Sequence, residues 1–141
     1  MTDAYIASTP VFPGAQILAF GQIGSPSAGK VFGRGLAGWQ LRRVAEHVRS
    51  NLDRCITLAE LAGLVRLSRF HFCTAFRLAT GQTPRDWITG ERIRRAVALL
   101  EAHELNITEI ALEVGYETPS SFTARFRQLM GVTPSDYRRA L

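Results

Sequence analysis

Cysteine is scarce in this chain of 141 residues: Cys55 and Cys73 are the two, and no Cys-x-x-Cys spacing joins them. That argues against a disulfide framework or a zinc ribbon and fits a reducing cytoplasm. His47, His71 and His103 are scattered, with no ligand spacing among themselves or to the cysteines. No metal and no other cofactor is therefore expected. Long hydrophobic runs are missing too. The apolar pieces before Gly38 lack a basic start and are broken by Pro10, Pro13, Gly14, Gly21 and Gly24, which argues against a membrane span or a secretory signal. Lysine is nearly absent: Lys30 stands alone against 16 arginines, 15 of them between Arg42 and Arg139, and the formal net charge is +5. An arginine-rich basic domain points toward a polyanionic partner, although charge alone does not name one. The length supports one or two small cores and is short for a large enzyme.

What the chain does contain is a repeat. Phe76-Arg77, Gly81, Thr83-Pro84, Asp86 and the aromatic Trp87 return 50 residues later as Phe126-Arg127, Gly131, Thr133-Pro134, Asp136 and Tyr137. Each copy spells the end of one helix and the start of the next. The glycine can close a helix in the left-handed conformation; the threonine can cap the following one, with proline at its first position and aspartate near its positive end. Upstream, Thr57-Leu58-Ala59-Glu60 and Asn106-Ile107-Thr108-Glu109 both have the form of a capping box. Leu61, Ala62 and Val65 match Ile110, Ala111 and Val114 as the apolar stripe of a short helix. The next helix is capped at Ser68 or at Thr118-Pro119, with buried stripes expected at Phe72, Phe76 and Ala79 and at Phe122, Phe126 and Leu129. The offset is 49 upstream and 50 downstream, so the second copy carries one extra residue in the turn Val114-Gly115-Tyr116-Glu117. Both units read as helix, short turn, helix.

Taken in order, residues 1–38 are poor in charge and rich in Gly, Pro and Ser, and read as a flexible arm. Order is expected from Trp39, where Leu41, Val44, Ala45, Val48 and Leu52 have helical spacing. The first unit occupies 39–83, a linker helix 84–103, and the second unit 104–141. The expected fold is all-α: two helix-turn-helix subdomains joined by a long linker helix, about seven helices in total. A linker of about 20 residues would be about 30 Å long, close to the roughly 34 Å between successive major grooves on one face of DNA.

These residues carry a family resemblance. Ile107-x-Glu109-Ile110-Ala111-x-x-Val114-Gly115-Tyr116, Ser121-Phe122, Phe126-Arg127, Gly131-x-Thr133-Pro134 and Tyr137-Arg138, with Arg92-Ile93-x-x-Ala96-x-x-Leu99-Leu100 in the linker, resemble the DNA-binding domain of AraC/XylS-type bacterial transcription regulators. The resemblance covers about residues 39–141 and implies that the second helix of each unit enters the major groove of double-stranded DNA; RNA polymerase is expected as a further partner. With Phe72 and Phe76 inward, a 100° step per residue sets Phe70, Cys73, Thr74 and Arg77 on the far side, flanked by Arg69. The matching residues are Ser120, Thr123, Ala124 and Arg127, with Pro119 opposite Arg69.

Arg69, Phe70, Cys73, Thr74, Ser120, Thr123 and Ala124 are the expected base readers, and Arg77, Arg127, Ser68 and Thr118 the expected phosphate contacts. The second set offers few strong donors, so specificity is expected mostly in the first copy. Family members often carry an arginine two residues after the first core aromatic, where this chain has Thr74 and Ala124; the role is not transferred to Arg125.

Each assignment has a plainer reading. Arg77 and Arg127 can be solvated or paired internally, Phe70 can rest on the turn, and Cys73 can be a packing residue. Arg92, Arg94 and Arg95 can face DNA or pair with Glu91 and Glu101. The leading functional expectation is a sequence-specific DNA-binding regulator in the bacterial cytoplasm, associated with the nucleoid, with no membrane partner and no small-molecule effector within this chain. The alternative is a protein-interaction module docking on RNA polymerase or another regulator. A thiol enzyme built on Cys73 lacks a histidine or acid placed to activate it.

Overall fold

The computed structural model of the protein describes residues 35–141. All but the last four residues of the expected 1–38 arm therefore lie outside the described residues. Seven helices follow: α1 (Gly38–Ser50), α2 (Leu58–Leu64), α3 (Arg69–Thr80), α4 (Pro84–Ala102), α5 (Ile107–Glu113), α6 (Pro119–Met130) and α7 (Pro134–Ala140). Among the described residues there is no strand, and no helix is long and apolar enough to cross a membrane.

The boundaries arise from the caps. Thr57, Ser68, Thr83, Asn106, Thr118 and Thr133 each accept a hydrogen bond from the backbone N–H three residues on, which satisfies an orphan donor at the helix start. Gly81 (φ 78°) and Gly131 (φ 82°) close α3 and α6 in the left-handed region, each donating its N–H to the carbonyl of Arg77 or Arg127. His103 takes the same left-handed conformation at the end of α4 (φ 59°).

Two cores result, and α4 belongs to both. Trp87 and Ile88, near its start, pack with α1, α2 and α3 around Val44, Val48, Leu61, Phe72 and Phe76. Ile93, Ala96, Val97 and Leu100, further along, pack with α5, α6 and α7 around Ile110, Phe122, Phe126 and Tyr137. The aromatic contacts repeat as the sequence does. Phe72, Phe76 and Trp87 form a chain with ring centroids 5.6 and 5.8 Å apart, and Phe122, Phe126 and Tyr137 one at 5.7 and 5.9 Å.

Details depart from the pattern in instructive ways. Ala75 and Met130 are buried, whereas Ala79 and Leu129 are only partly so, because each stripe turns to follow the helix packed against it. The first core also takes in Leu36, ahead of Trp39: it is buried and its N–H reaches the Ala75 carbonyl at 3.4 Å.

The two capping boxes are not equivalent. Asn106 and Glu109 form a complete reciprocal pair, both bonds 2.8 Å long. Glu60 instead turns its carboxylate away from Thr57 to accept hydrogen bonds from Arg54 and His47, which fastens α2 to α1. Those bonds, Arg54 first and His47 second, hold the Glu60 carboxyl down from its ordinary 4.5 to about 2. A lowered folded-state value stabilises the protein fully above the ordinary carboxylate range and is lost as pH falls toward the folded value. Thermal melts should therefore show a loss of stability between about pH 4.5 and pH 2, and Glu60→Gln should be less stable at neutral pH and flatter across that window. Equal slopes for the two proteins would refute the assignment.

Candidate nucleic-acid interface

Because Phe72 and Phe76 are drawn into the first core, the opposite side of α3 faces solvent. Arg69, Phe70, Thr74 and Arg77 are exposed there and Cys73 is half-buried. Phe70 is 78% exposed, its ring edge-on to His71 at 6.0 Å between centroids, so it does not rest in the core. On α6, Ser120, Ala124 and Arg127 are exposed and Thr123 is half-buried. Of the side assigned from a 100° step, Phe70, Thr74 and Arg77 and their counterparts Ser120, Ala124 and Arg127 are exposed, while Cys73 packs against the first core.

Each helix presents that face to an open concavity bounded by the next helix start. The first, about 310 Å³, is lined by Leu58, Cys73, Thr74, Arg77, Thr83, Pro84 and Arg85. The second, about 390 Å³, is lined by Pro119, Ser120, Thr123, Ala124, Arg127 and Thr133. Cys73, Thr74, Arg77 and Thr83 correspond one for one, at the 50-residue offset, to Thr123, Ala124, Arg127 and Thr133. Arg69 and Phe70 lie at the start of α3 outside the first hollow. Ser68 and Thr118 sit at the helix caps, where their hydroxyls already accept the N–H of His71 (3.2 Å) and Ser121 (3.1 Å). Ser68 Oγ also lies 2.9 Å from His71 Nδ1.

Arg85 is not among the residues that the sequence marks for the interface, yet it lines the same hollow as Arg77. The available signal was positional: a basic residue one past the proline of a capped helix start, where the second copy has Ser135. Among the described residues, none of Arg69, Arg77, Arg85 and Arg127 forms an ion pair. Their charge is available to an external anion, and the first hollow holds two arginines where the second holds one.

Further along the linker, Arg92 and Arg94 are employed otherwise, while Arg95 is exposed. Arg94 pairs with Glu91 at 3.5 Å, and Glu91, 4% exposed, also accepts from Arg49 Nε at 2.8 Å. Arg92 donates to the Arg54 carbonyl at 2.9 Å, and Glu101 accepts from the Tyr137 hydroxyl at 3.1 Å. Arg125 is exposed and donates to Gln128 at 2.9 Å. The described residues contain no group of three or more His, Cys, Asp or Glu side chains that could hold a metal ion.

Two helix-turn-helix units sharing one long helix, each with an outward-facing second helix, define a double helix-turn-helix protein. A helix-turn-helix domain family matches residues 61–140, more than half of the chain. The chain is 34% identical over 92 residues to the transposon Tn10 TetD protein of Escherichia coli, covering 65% of this chain and 67% of that protein. It is 34% identical over 84 residues to the uncharacterized HTH-type transcriptional regulator YdeC of Bacillus subtilis, covering 60% of this chain but 29% of YdeC. The chain thus spans under a third of YdeC.

Solved structures agree. The DNA-binding domain of AdpA, a global transcriptional factor in complex with a target DNA, superposes with a TM-score of 0.66 at 29% identity, over 70% of this chain and 89% of that one. The C-terminal domain of AraT, a response regulator from Geobacillus stearothermophilus, gives 0.68 at 30% identity, over 72% and 85%. The chain belongs to the AraC/XylS-type helix-turn-helix family.

Proposed function

We propose that the protein is a sequence-specific DNA-binding transcription regulator that inserts α3 and α6 into successive major grooves of one duplex. The observation that carries this reading is the duplicated exposed face, with Arg77 and Arg127 beside equivalent hollows and no internal partner for either charge. The 19 residues of α4 rise about 28 Å at 1.5 Å each, short of the roughly 34 Å groove repeat. In this reading the DNA bends toward the protein so that both helices insert, or one unit alone inserts fully. In this reading residues 39–83 and 104–141 are the two reading subdomains and residues 84–103 the linker. Arg69, Phe70, Cys73 and Thr74, with Ser120, Thr123 and Ala124, read base edges and thymine methyls. Arg77 and Arg127 hold phosphates, Arg85 adds a third cation, and Ser68 and Thr118 approach the backbone at the helix caps.

The DNA complex of AdpA and the regulator relatives support this role and favour no interaction-only module. The chain would act on nucleoid DNA in a bacterial cytoplasm, with RNA polymerase as its second partner and no chemistry of its own. In vitro selection from random duplexes at a stated salt concentration tests the reading. The expected product is a two-part site with footprint protection across about 20 bp, from half-sites roughly 10 bp apart. Recovery of no sequence preference over random DNA at physiological salt would sink it.

A further inference from the structure

The turn of the second helix-turn-helix is specialised for docking on the first subdomain. Arg66 and Gly115 occupy the same place in their turns: both have positive φ, 59° and 89°, and the residue after each, Leu67 or Tyr116, donates its N–H to the carbonyl of Ala62 or Ala111. The extra residue of the second copy therefore comes after Tyr116, at Glu117. Arginine is accepted at φ 59° in the first turn, inside the left-handed region open to L residues, whereas the 89° of Gly115 lies beyond it and favours glycine. Proximity adds to the demand: a Cβ on Gly115 would stand 2.1 Å from the Leu52 carbonyl oxygen and 3.0 Å from the Arg92 guanidinium carbon.

Arg92 fills the rest of the seam. Its guanidinium lies 5.8 Å from the centroid of the Tyr116 ring and donates to the Arg54 carbonyl at 2.9 Å, while its buried Nε has no partner. A cation over the face of an aromatic ring is drawn to it electrostatically, and the hydrogen bond to the Arg54 carbonyl fixes the other side of the guanidinium. Tyr116 in turn packs on Phe122 of α6 at 5.6 Å, and burial pushes its phenol up from the usual value, against the lowering effect of Arg92 and Arg125. A continuous path thus runs from the loop after α1, through the linker, to the core face of the second outward helix.

We propose that the Leu52–Arg92–Gly115–Tyr116 seam fixes the separation and rotational phase of α3 and α6, making Arg92 and Gly115 positioning residues for the spacing between DNA half-sites. The inference rests on the reading that both helices engage DNA. One inserted base pair turns a half-site by about 34° and moves it by about 3.4 Å, a misfit that a rigid pair of heads cannot follow and a loosened pair can.

The test uses the full chain, the site it selects, derivatives with one base pair added or removed between half-sites, and a duplex carrying the first half-site alone. Wild-type affinity should fall about tenfold or more on either derivative, in the range of a lost base contact. Arg92→Ala and Gly115→Ala should reduce that ratio to about threefold or less while leaving affinity for the single half-site within about twofold. If Gly115→Ala does not fold, Arg92→Gln, which keeps a donor but loses the charge over the Tyr116 ring, is expected to show the same loss of spacing discrimination. A wild-type chain that selects no sequence ends the DNA reading and this inference with it. A wild-type chain that selects a two-part site, together with an Arg92→Gln variant that discriminates spacing as sharply, overturns the inference alone.

Discussion

Phe126→Ala is expected to lower the free energy of unfolding by about 3–5 kcal/mol, the usual cost of emptying a fully buried phenylalanine site. Phe126 has no exposed surface and its ring is held between Phe122 at 5.7 Å and Tyr137 at 5.9 Å, so the cavity would open within the second core, where four helices meet. Small domains have only about 5–15 kcal/mol in total, so the loss removes a large share of the stability. The repeat makes a second prediction from the same physics: Phe76→Ala, between Phe72 and Trp87, should cost a comparable amount. Urea unfolding followed by circular dichroism measures both. Trp87 lies in the first core, so its fluorescence reports that half, although the exposed Trp39 also contributes. A shift under about 1 kcal/mol for either variant would mean that the two aromatic chains are not the centres of the cores.

What was legible in the sequence was whatever a short window encodes. The caps at Thr57, Ser68, Thr83, Asn106, Thr118 and Thr133, the closing glycines and the phenylalanine pairs are all signals within one or two helical turns. They place six of the seven helices where the structure has them, and the spacing of Leu41, Val44, Ala45 and Val48 places α1. The repeat then fixes which faces are equivalent, since Phe72 and Phe122 have to point inward for the same reason. Signals that depend on a distant partner were not legible. Glu60 reads as the second half of a capping box until α1 brings His47 alongside, with Arg54 from the following loop, and the stronger charged partners win the carboxylate from the Thr57 N–H. Arg92 reads as a surface arginine on a linker helix, and only the folded approach of Leu52 to Gly115 shows that it is the filling of a seam. Arg85 joins the first hollow because Gly81 turns the chain back, so that the start of α4 stands beside α3. The division of α4 between two cores, Trp87 and Ile88 in one and Ile93 onward in the other, likewise depends on distant partners.

Arg69→Ala is expected to weaken binding to the selected site about 5- to 150-fold, the equivalent of the 1–3 kcal/mol that one good bidentate base contact supplies, and to relax base preference at one or two adjacent positions. Arg77→Ala should behave differently, weakening binding to all sequences alike and reducing the slope of log affinity against log salt by about 1, as loss of a phosphate contact does. The difference follows from placement. Arg69 occupies the first position of α3 beside the exposed Phe70, at the end of the helix that would point into a groove. Arg77 lies two turns further on, beside Arg85, where the flank of the helix would meet the strand. The equivalent positions on α6 predict a weaker reader. Pro119 stands where α3 has Arg69, and Ser120 and Ala124 offer one hydroxyl and one methyl between them, so Ser120→Ala should cost less than about threefold. Binding isotherms for the three variants at several salt concentrations, on the selected site and on random duplex, separate these effects. If Ser120→Ala cost as much as Arg69→Ala, the two copies would read DNA equally. The asymmetry between Arg69 and Pro119 would then have to be compensated by Arg125, whose exposed guanidinium is one step around the helix from Ala124.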